Sequence, residues 1–486
     1  MKHIGIIGAG LSGLTTAKTF LKKGYRVTVL EKSSKLGGVW NPDRSYVGVS
    51  TQTTRDEYAF SDFPMPAEYP MWPSGEQVQE YLQRYAEHFD VIPHIRFNTT
   101  VQNMYFDGYY WQVRLSSSGE HDSRAELISF SYVVICTGTF HEPYLPELPG
   151  MDTYREAGGI ILHSSEISST EILAGKDVAV VGFAKSATDI ATHAADTGKS
   201  CTLIYRAAQW KIPRYFGNRV NMRFLLFSRF SEAFFSAHKK SVFQFLLHTA
   251  GRPLVWAQWR GLELLLKNQF KLKKCGMLPS HRIEDQISCS LGVEPVGFYE
   301  KVEKGAIRAV CTEIDHFEGK DVVLKNGERI RPDLLVLGTG FRQRLPFLNV
   351  QYQEMITSSK GMYRLYRNIL HPDVPQLGFV GFNSSFFSTI TSEVAAHWLV
   401  AVVSGELILP PDEDIQKELN EIDHWRSYKR PIALEFSGLC VAPFTFQYLD
   451  SLMRDMGLRT KASYNLPYEF FKPMDPKDYG KILSAN

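Results

Sequence analysis

The chain carries one short arrangement twice: a buried-strand run, a glycine-bearing turn, a helix and a second strand. In the first copy Ile4 to Ile7 runs into Gly8-Ala9-Gly10-Leu11-Ser12-Gly13, and Leu14, Ala17, Phe20 and Leu21 then share one helical face. Gly24 stops that helix, and a strand over Tyr25 to Leu30 ends in Glu31 and Lys32. Each glycine has a physical job. Gly8 permits the tight turn, Gly10 lets backbone approach a pyrophosphate, and Gly13 lets the helix pack closely. The helix N-terminus, with Ser12 in its first turn, faces the phosphates, and Glu31 accepts from ribose hydroxyls. A lone glycine pattern is weak, but strand, glycines, helix, strand and an acid about 20 residues on together specify a dinucleotide site.

The second copy starts at Asp177 to Val181 and continues through Gly182-Phe183-Ala184-Lys185-Ser186-Ala187 into a helix carrying Ile190, Ala191 and Ala194. Gly198 ends it, and the strand Cys201 to Tyr205 finishes in Arg206, where the first copy has an acid. A carboxylate repels a 2′-phosphate, whereas a guanidinium binds it with two charge-assisted hydrogen bonds. Gly182, Ser186, Ala187 and Arg206 therefore describe an NADPH site; a degenerate, empty site is the alternative. Ala184 stands where the second glycine is expected and adds a methyl group near the pyrophosphate path. The segment around Lys185 and Ser186 lacks the glycine spacing of a P-loop.

Two further buried runs end in small turns. Tyr132 to Cys136 leads into Thr137-Gly138-Thr139, and Leu334 to Leu337 leads into Gly338-Thr339-Gly340-Phe341. They bracket the second copy, and Pro143, Pro146 and Pro149 follow the first turn as in a stiff connection leaving a domain. The expected fold is α/β, with two dinucleotide-binding, Rossmann-like domains and the second inserted into the first: residues 1–154, then 155–335, then 336–486 with a C-terminal extension. Val101 to Leu115 reads as strands of a small meander, and Asn326-Gly327 marks a hairpin in the inserted domain. Val101, Thr137, Gly138, Thr339 and Gly340 join the candidate nucleotide contacts. The chain returns through His371-Pro372-Asp373-Val374-Pro375, a strand over Leu377 to Val380, and a helix from about Thr391 to Val403.

With 486 residues and 44% hydrophobic content, the chain has material for two or three cored domains. Its 54 basic and 52 acidic residues nearly cancel, which excludes a general nucleic-acid footprint. Cys136, Cys201, Cys275, Cys289, Cys311 and Cys440 include no Cys-x-x-Cys pair, so neither a metal site, a redox dithiol nor a disulfide framework is expected. No secretory leader and no spanning apolar run of about 18 residues is visible, and a cytoplasmic, soluble or at most peripheral protein is expected. One segment departs from this balance. Gly217 to Met277 is aromatic and helical in pattern, and its Lys and Arg face only Glu232 and Glu263. It reads as a helical lid with a solvated basic face, with peripheral contact to anionic lipid as the less favoured alternative.

Several short patterns together give the chain a resemblance to the flavin-containing monooxygenases: Gly37-Gly38-Val39-Trp40, Phe60-Ser61-Asp62-Phe63-Pro64, Gly159 with His163-Ser164, Gly338 to Phe341, and Gly381-Phe382-Asn383 with Glu393. The resemblance implies FAD in the first site, with Gly38, Val39, Trp40 and Thr51 against it, and NADPH in the second. It also implies that the helix after Asn383 faces the flavin's pyrimidine edge. A hydride reduces the flavin, O₂ adds, and a C4a-hydroperoxyflavin oxygenates a soft nitrogen or sulfur of a small-molecule substrate. Where the family has a flavin-facing asparagine this chain has Gln52, implied to contact peroxide and nicotinamide; Asn383 is implied on the flavin side. Ala157 replaces the phenylalanine that opens the family signature, and His163 takes an architectural role. A Baeyer-Villiger enzyme acting on ketones, an uncoupled NADPH oxidase and a binding module without turnover stay open.

Overall fold

A computed structural model describes residues 2–117, 126–286 and 292–484. The strand His3–Ile7 is central in a five-stranded sheet ordered Leu377–Phe379, Tyr132–Ile135, His3–Ile7, Arg26–Leu30, Ile95–Arg96, with every neighbouring pair parallel. Ile4, Ile6 and Val29 are fully buried, as strands covered on both faces require. The second sheet repeats this plan in the order Arg308–Cys311, Ser200–Tyr205, Asp177–Val181, Leu334–Leu337, Ile160–His163, again all parallel. In each sheet the chain builds outward on one side of the glycine-turn strand and then crosses to the other. A crevice opens over that strand's carboxyl end.

The two crossings between the sheets touch each other. Glu142–Pro143, leaving the first sheet, pairs antiparallel with Phe341–Arg342, returning to it. The Tyr144 amide donates to the Gly340 carbonyl over 2.9 Å, and the Thr339 hydroxyl donates to the Tyr144 carbonyl. His163 seals this junction: its Nε2 bonds the Gly340 carbonyl at 2.9 Å, its Nδ1 bonds the Ser165 hydroxyl at 2.8 Å, and its ring lies 5.1 Å from that of Phe341. Burial lowers its pKa, so the ring is held neutral as an architectural group.

The meander forms from Thr99–Phe106, Trp111–Ser117 and Glu126–Phe130, and the Asn326-Gly327 turn closes the hairpin of Asp321–Leu324 with Arg329–Ile330. The returning helix spans Ser388–Ser404 rather than starting at Thr391, because no proline or glycine interrupts the turn after Phe387. It lies along the helix Leu11–Lys22 and is pinned by buried polar groups. Lys18 Nζ sits 2.8 Å from Asp62 and 3.3 Å from Glu393, and Glu393 accepts from the Ser61 amide at 2.8 Å. The Phe60-to-Pro64 pattern thus ties a loop to two helices.

The insert forms the helices Arg223–Leu226, Arg229–Glu232, Val242–His248 and Arg252–Gln269. Much of its charge is matched. Arg229 pairs with Asp450 at 2.6 Å, Lys239 with Glu418 at 3.1 Å, and Glu232 accepts the Phe446 and Gln447 amides that open the helix Thr445–Asp455. The helix Arg252–Gln269 presents a mixed outer face, with exposed Arg252 and part-exposed Lys267 beside Leu254, Trp256 and Leu264, Trp256 at 62% exposure. Its Glu263 is buried, accepts the Ile283 amide at 3.0 Å and pairs with Arg260 and Lys267. Cys136, Cys201, Cys275, Cys311 and Cys440 are free thiols, while Cys289 lies outside the described residues. Among the described residues no helix is long and apolar enough to cross a membrane.

Candidate functional site

The first turn is built as its glycines require. Gly8 has φ 104°, and its amide donates to the Leu30 carbonyl over 2.9 Å. A Cβ on Gly13 would fall 1.9 Å from the Gly8 carbonyl oxygen, so helix and turn approach as only glycine allows. Gly37 and Gly38 fold back over the same turn. The Gly37 amide donates to the Ala9 carbonyl at 2.9 Å, and a Cβ on Gly38 would stand 3.1 Å from Gly10 Cα. Val39 is exposed beside them, and buried Trp40 donates from Nε1 to the Tyr58 hydroxyl at 3.1 Å.

Glu31 is buried and already accepts two amides, from Ala9 at 2.7 Å and Ser33 at 2.9 Å. It clamps the turn, and each oxygen keeps a second lone pair for a hydroxyl. Lys32 is exposed next to it, and Val101 sits on the strand that begins where the Thr99 amide bonds the Glu31 carbonyl. Ser12 spends its hydroxyl on Ser392 at 2.9 Å, leaving its backbone to the crevice. Gly138 turns with φ 69° at the neighbouring strand end.

Two observations test whether a dinucleotide fits here. The hydroxyls of Thr51 and Thr137 are buried without a partner. The helices Leu11–Lys22 and Lys185–Thr197 both start without a side-chain cap, whereas Gly75–His88 carries a capping box from Ser74 and Gln77. Uncapped first-turn amides and orphaned hydroxyls are what a phosphate-bearing ligand satisfies.

The second turn reaches the same geometry by another route. Gly182 has φ 122°, and its amide donates to the Ile204 carbonyl at 2.9 Å. Ala187 fills the third glycine position because Gly338, on the adjacent strand end, makes room: a Cβ on Gly338 would lie 2.7 Å from that of Ala187. Ala184 is exposed, Ser186 is half-buried in the first helical turn, and Arg206 is 83% exposed with Glu313 as nearest acid at 3.9 Å.

Between the turns lies a polar seam. Gln52 Oε1 accepts the Val293 amide at 3.1 Å, and the Thr53 hydroxyl donates to the Phe386 carbonyl at 3.4 Å. Asn383 is buried and accepts from the Thr391 hydroxyl at 3.1 Å, inside the first turns of the helix Ser388–Ser404. The loop of Gln52 and the loop of Asn383 therefore meet at one helix N-terminus.

A family model for flavin-binding monooxygenase-like proteins matches residues 1–471. The chain belongs to that family. This flavin monooxygenase is 30% identical to a "Probable flavin-containing monooxygenase 1" of Arabidopsis thaliana, covering 98% of the chain and 96% of the relative. It is 28% identical to flavin-containing monooxygenase 1 of Homo sapiens over 90% of the chain and 79% of the relative. Among solved structures, S-allyl-L-cysteine S-oxygenase from Allium sativum matches with TM-score 0.64 and 20% identity, covering 94% of the chain and 88% of that structure. A cyclohexanone monooxygenase matches with TM-score 0.67 and 18% identity over 93% and 97%. These structural likenesses establish the fold, two Rossmann-like units in one chain.

The flavin monooxygenase also places two cations in the seam that the sequence reading did not single out. Arg214 donates to the Ser50 hydroxyl at 3.0 Å, with its guanidinium 5.1 Å from the Trp72 ring. Lys211 is fully enclosed behind the second turn. Their signal in the sequence is two basic residues among apolar ones, Trp210-Lys211-Ile212-Pro213-Arg214, just after the strand that ends at Arg206.

Proposed function

We propose that this flavin monooxygenase holds FAD along the first turn and NADPH along the second, in an inserted unit of residues 155–335, and uses O₂ to oxygenate a soft nitrogen or sulfur nucleophile in a small molecule. The observation that carries the cofactor assignment is the contrast at corresponding strand ends: Glu31 clamped and buried at one, Arg206 exposed and free to reach a 2′-phosphate at the other. Supporting it, solved structures of the same fold include a steroid monooxygenase bound to NADP and a complex of OTEMO with FAD and NADP. The flavin supplies the redox and oxygen-activating chemistry when bound.

The chain's own residues bind, orient and exclude water. Both glycine turns present amides to pyrophosphates, and Arg206 takes the 2′-phosphate. Gln52, with its carbonyl held by Val293, keeps its amide N–H groups to donate to a cofactor or to oxygen. Asn383 and Thr391 fix the start of the helix Ser388–Ser404, whose positive end stabilises negative charge placed before it. Trp40, Phe386 and Phe387 line this region with apolar surface that keeps water out.

The reading is tested by anaerobic reduction with NADPH followed by mixing with O₂ under rapid-scan absorbance, with a thioether and a cyclic ketone as parallel substrates. Sulfoxide formation at the expense of NADPH is the expected result. Lactone formation would move the enzyme to ketone oxidation, and NADPH consumption yielding only hydrogen peroxide would make it an oxidase.

A second reading concerns the insert. The outward apolar side chains Leu254, Trp256 and Leu264, with Phe245 and Leu246 on the preceding helix, support contact with a lipid surface, as does the exposed Lys240 and Arg252 beside them. Co-sedimentation with anionic liposomes at low salt is the expected behaviour. Absence of binding there would leave the insert as a cover over the site.

A further inference from the structure

A buried amine lies behind the second glycine turn. Lys211 is 2% exposed, and its Nζ donates to the Phe183 carbonyl at 3.0 Å while standing 5.2 Å from the Phe183 ring centroid. Gly292 closes the far side: a Cβ there would lie 3.7 Å from Lys211 Nζ and 4.0 Å from the Lys185 amide nitrogen. The amine therefore stands next to the first-turn amides of the helix Lys185–Thr197, the positive end of that helix.

Among the described residues no carboxylate forms an ion pair with Lys211. Asp189, on the helix, is committed to Lys185 and to the Tyr46 hydroxyl from the first unit at 2.9 Å. Glu294, beyond the strand Gly292–Val293, faces Lys211 without bonding it, accepts the Tyr299 amide and is also faced by Glu300 and Arg214. Lys185 adds a like charge. An enclosed ammonium at a helix's positive end, without a bonded acid, is costly. Burial accordingly brings Lys211 down to about 7, and burial likewise carries Glu294 up to about 7. Neither acid is bonded to Lys211, and the uncapped helix Lys185–Thr197 begins beside it.

We propose that Lys211 is the buried countercharge of the second nucleotide site: a dinucleotide pyrophosphate seated on the Lys185–Thr197 helix draws one solvent proton onto the Lys211 Nζ lone pair, coupling nucleotide binding to proton uptake. The inference rests on the reading of this turn as the NADPH site and gives it a chemical property. Lys211 acts through the turn, without touching the ligand, and is a positioning residue.

The sign follows from linkage. The amine holds its proton more tightly in the complex than in the free protein, so affinity is lost as pH rises above the free-state value. Calorimetric titration of the flavin-loaded protein with NADP⁺, between about pH 7 and 8.5, keeps the ligand's own 2′-phosphate ionised, its second pKa being about 6. Buffers of different ionisation enthalpy count the protons. For the native protein the dissociation constant should rise by up to about tenfold per pH unit, with uptake of up to one proton. Lys211→Met should bind more weakly at pH 7, with a flat profile and no uptake. Lys211→Arg, permanently charged, should bind tightly with an equally flat profile, and it stands in if the methionine variant does not fold. Glu294→Gln should keep the native slope, which assigns the proton to Lys211 and not to its neighbour. A native slope in the arginine variant, or its loss in Glu294→Gln, overturns the coupling alone. Failure of the native protein to bind NADP⁺ at all overturns the assignment of the second site as well.

Discussion

The Gln52 side-chain carbonyl accepts the Val293 amide at 3.1 Å, fastening the loop beside the first glycine turn to the strand pair that carries Lys211. One side chain thus bridges the two glycine-turn units.

Replacing Gln52 by alanine leaves the Val293 amide without its partner in a partly buried seam. Unfolding by urea should show a loss of about 1–2 kcal/mol. The loosened contact should also raise the share of consumed NADPH that appears as hydrogen peroxide. A variant with native stability and native peroxide yield would make Gln52 a bystander.

Arg206→Ala removes a charged hydrogen-bonding group that stands 83% exposed with its nearest acid at 3.9 Å. The expected cost is about 1.5–3 kcal/mol, read as a rise of about tenfold or more in KM for NADPH with little change for NADH. Equal loss for both nucleotides would take the 2′-phosphate away from Arg206.

Gly13→Ala puts a methyl carbon 1.9 Å from the Gly8 carbonyl oxygen, a backbone atom that cannot swing aside. The helix must move off the turn at a cost of about 1–3 kcal/mol or more. The variant should purify with little or no bound flavin, judged by visible absorbance against protein content. Gly24→Ala is the comparison: it meets no atom within 4 Å and carries only the strain of φ 83°, so its flavin content should stay native.

His397, on the helix Ser388–Ser404, is pushed down to about 4 by burial, with Lys18 and Lys22 adding to the effect. The unfolded chain takes up this proton near its ordinary value of about 6.5, the folded chain only near 4, so stability is lost as pH falls between those values. The native protein should lose on the order of 2–3 kcal/mol more than His397→Gln across that window in denaturant titrations. Parallel profiles would show that the ring is solvated in the native state.

Both nucleotide turns, the strands around them and the crossing points were legible because glycine is demanded there by backbone sterics, and such demands appear directly as residue type. Gly8, Gly13 and Gly182 are of this kind. Ala187 was read as a nucleotide contact without its spatial reason, since the space it needs comes from Gly338, about 150 residues away in a different strand. Charge balance was the least readable layer. The insert's excess of lysine and arginine was plain in the sequence, but not that buried Glu263 pairs with Arg260 and Lys267 while Leu254, Trp256 and Leu264 look outward. Lys211 escaped notice although it stands among apolar residues in Trp210-Lys211-Ile212-Pro213-Arg214, because that pattern gives no sign of which residues enclose it.

The paired segments Glu142–Pro143 and Phe341–Arg342 lie side by side as two adjacent, oppositely running joints. The host's own cut ends are left in hydrogen-bonding register. The two joints therefore brace each other, and a break in either would leave its end held in place by its neighbour.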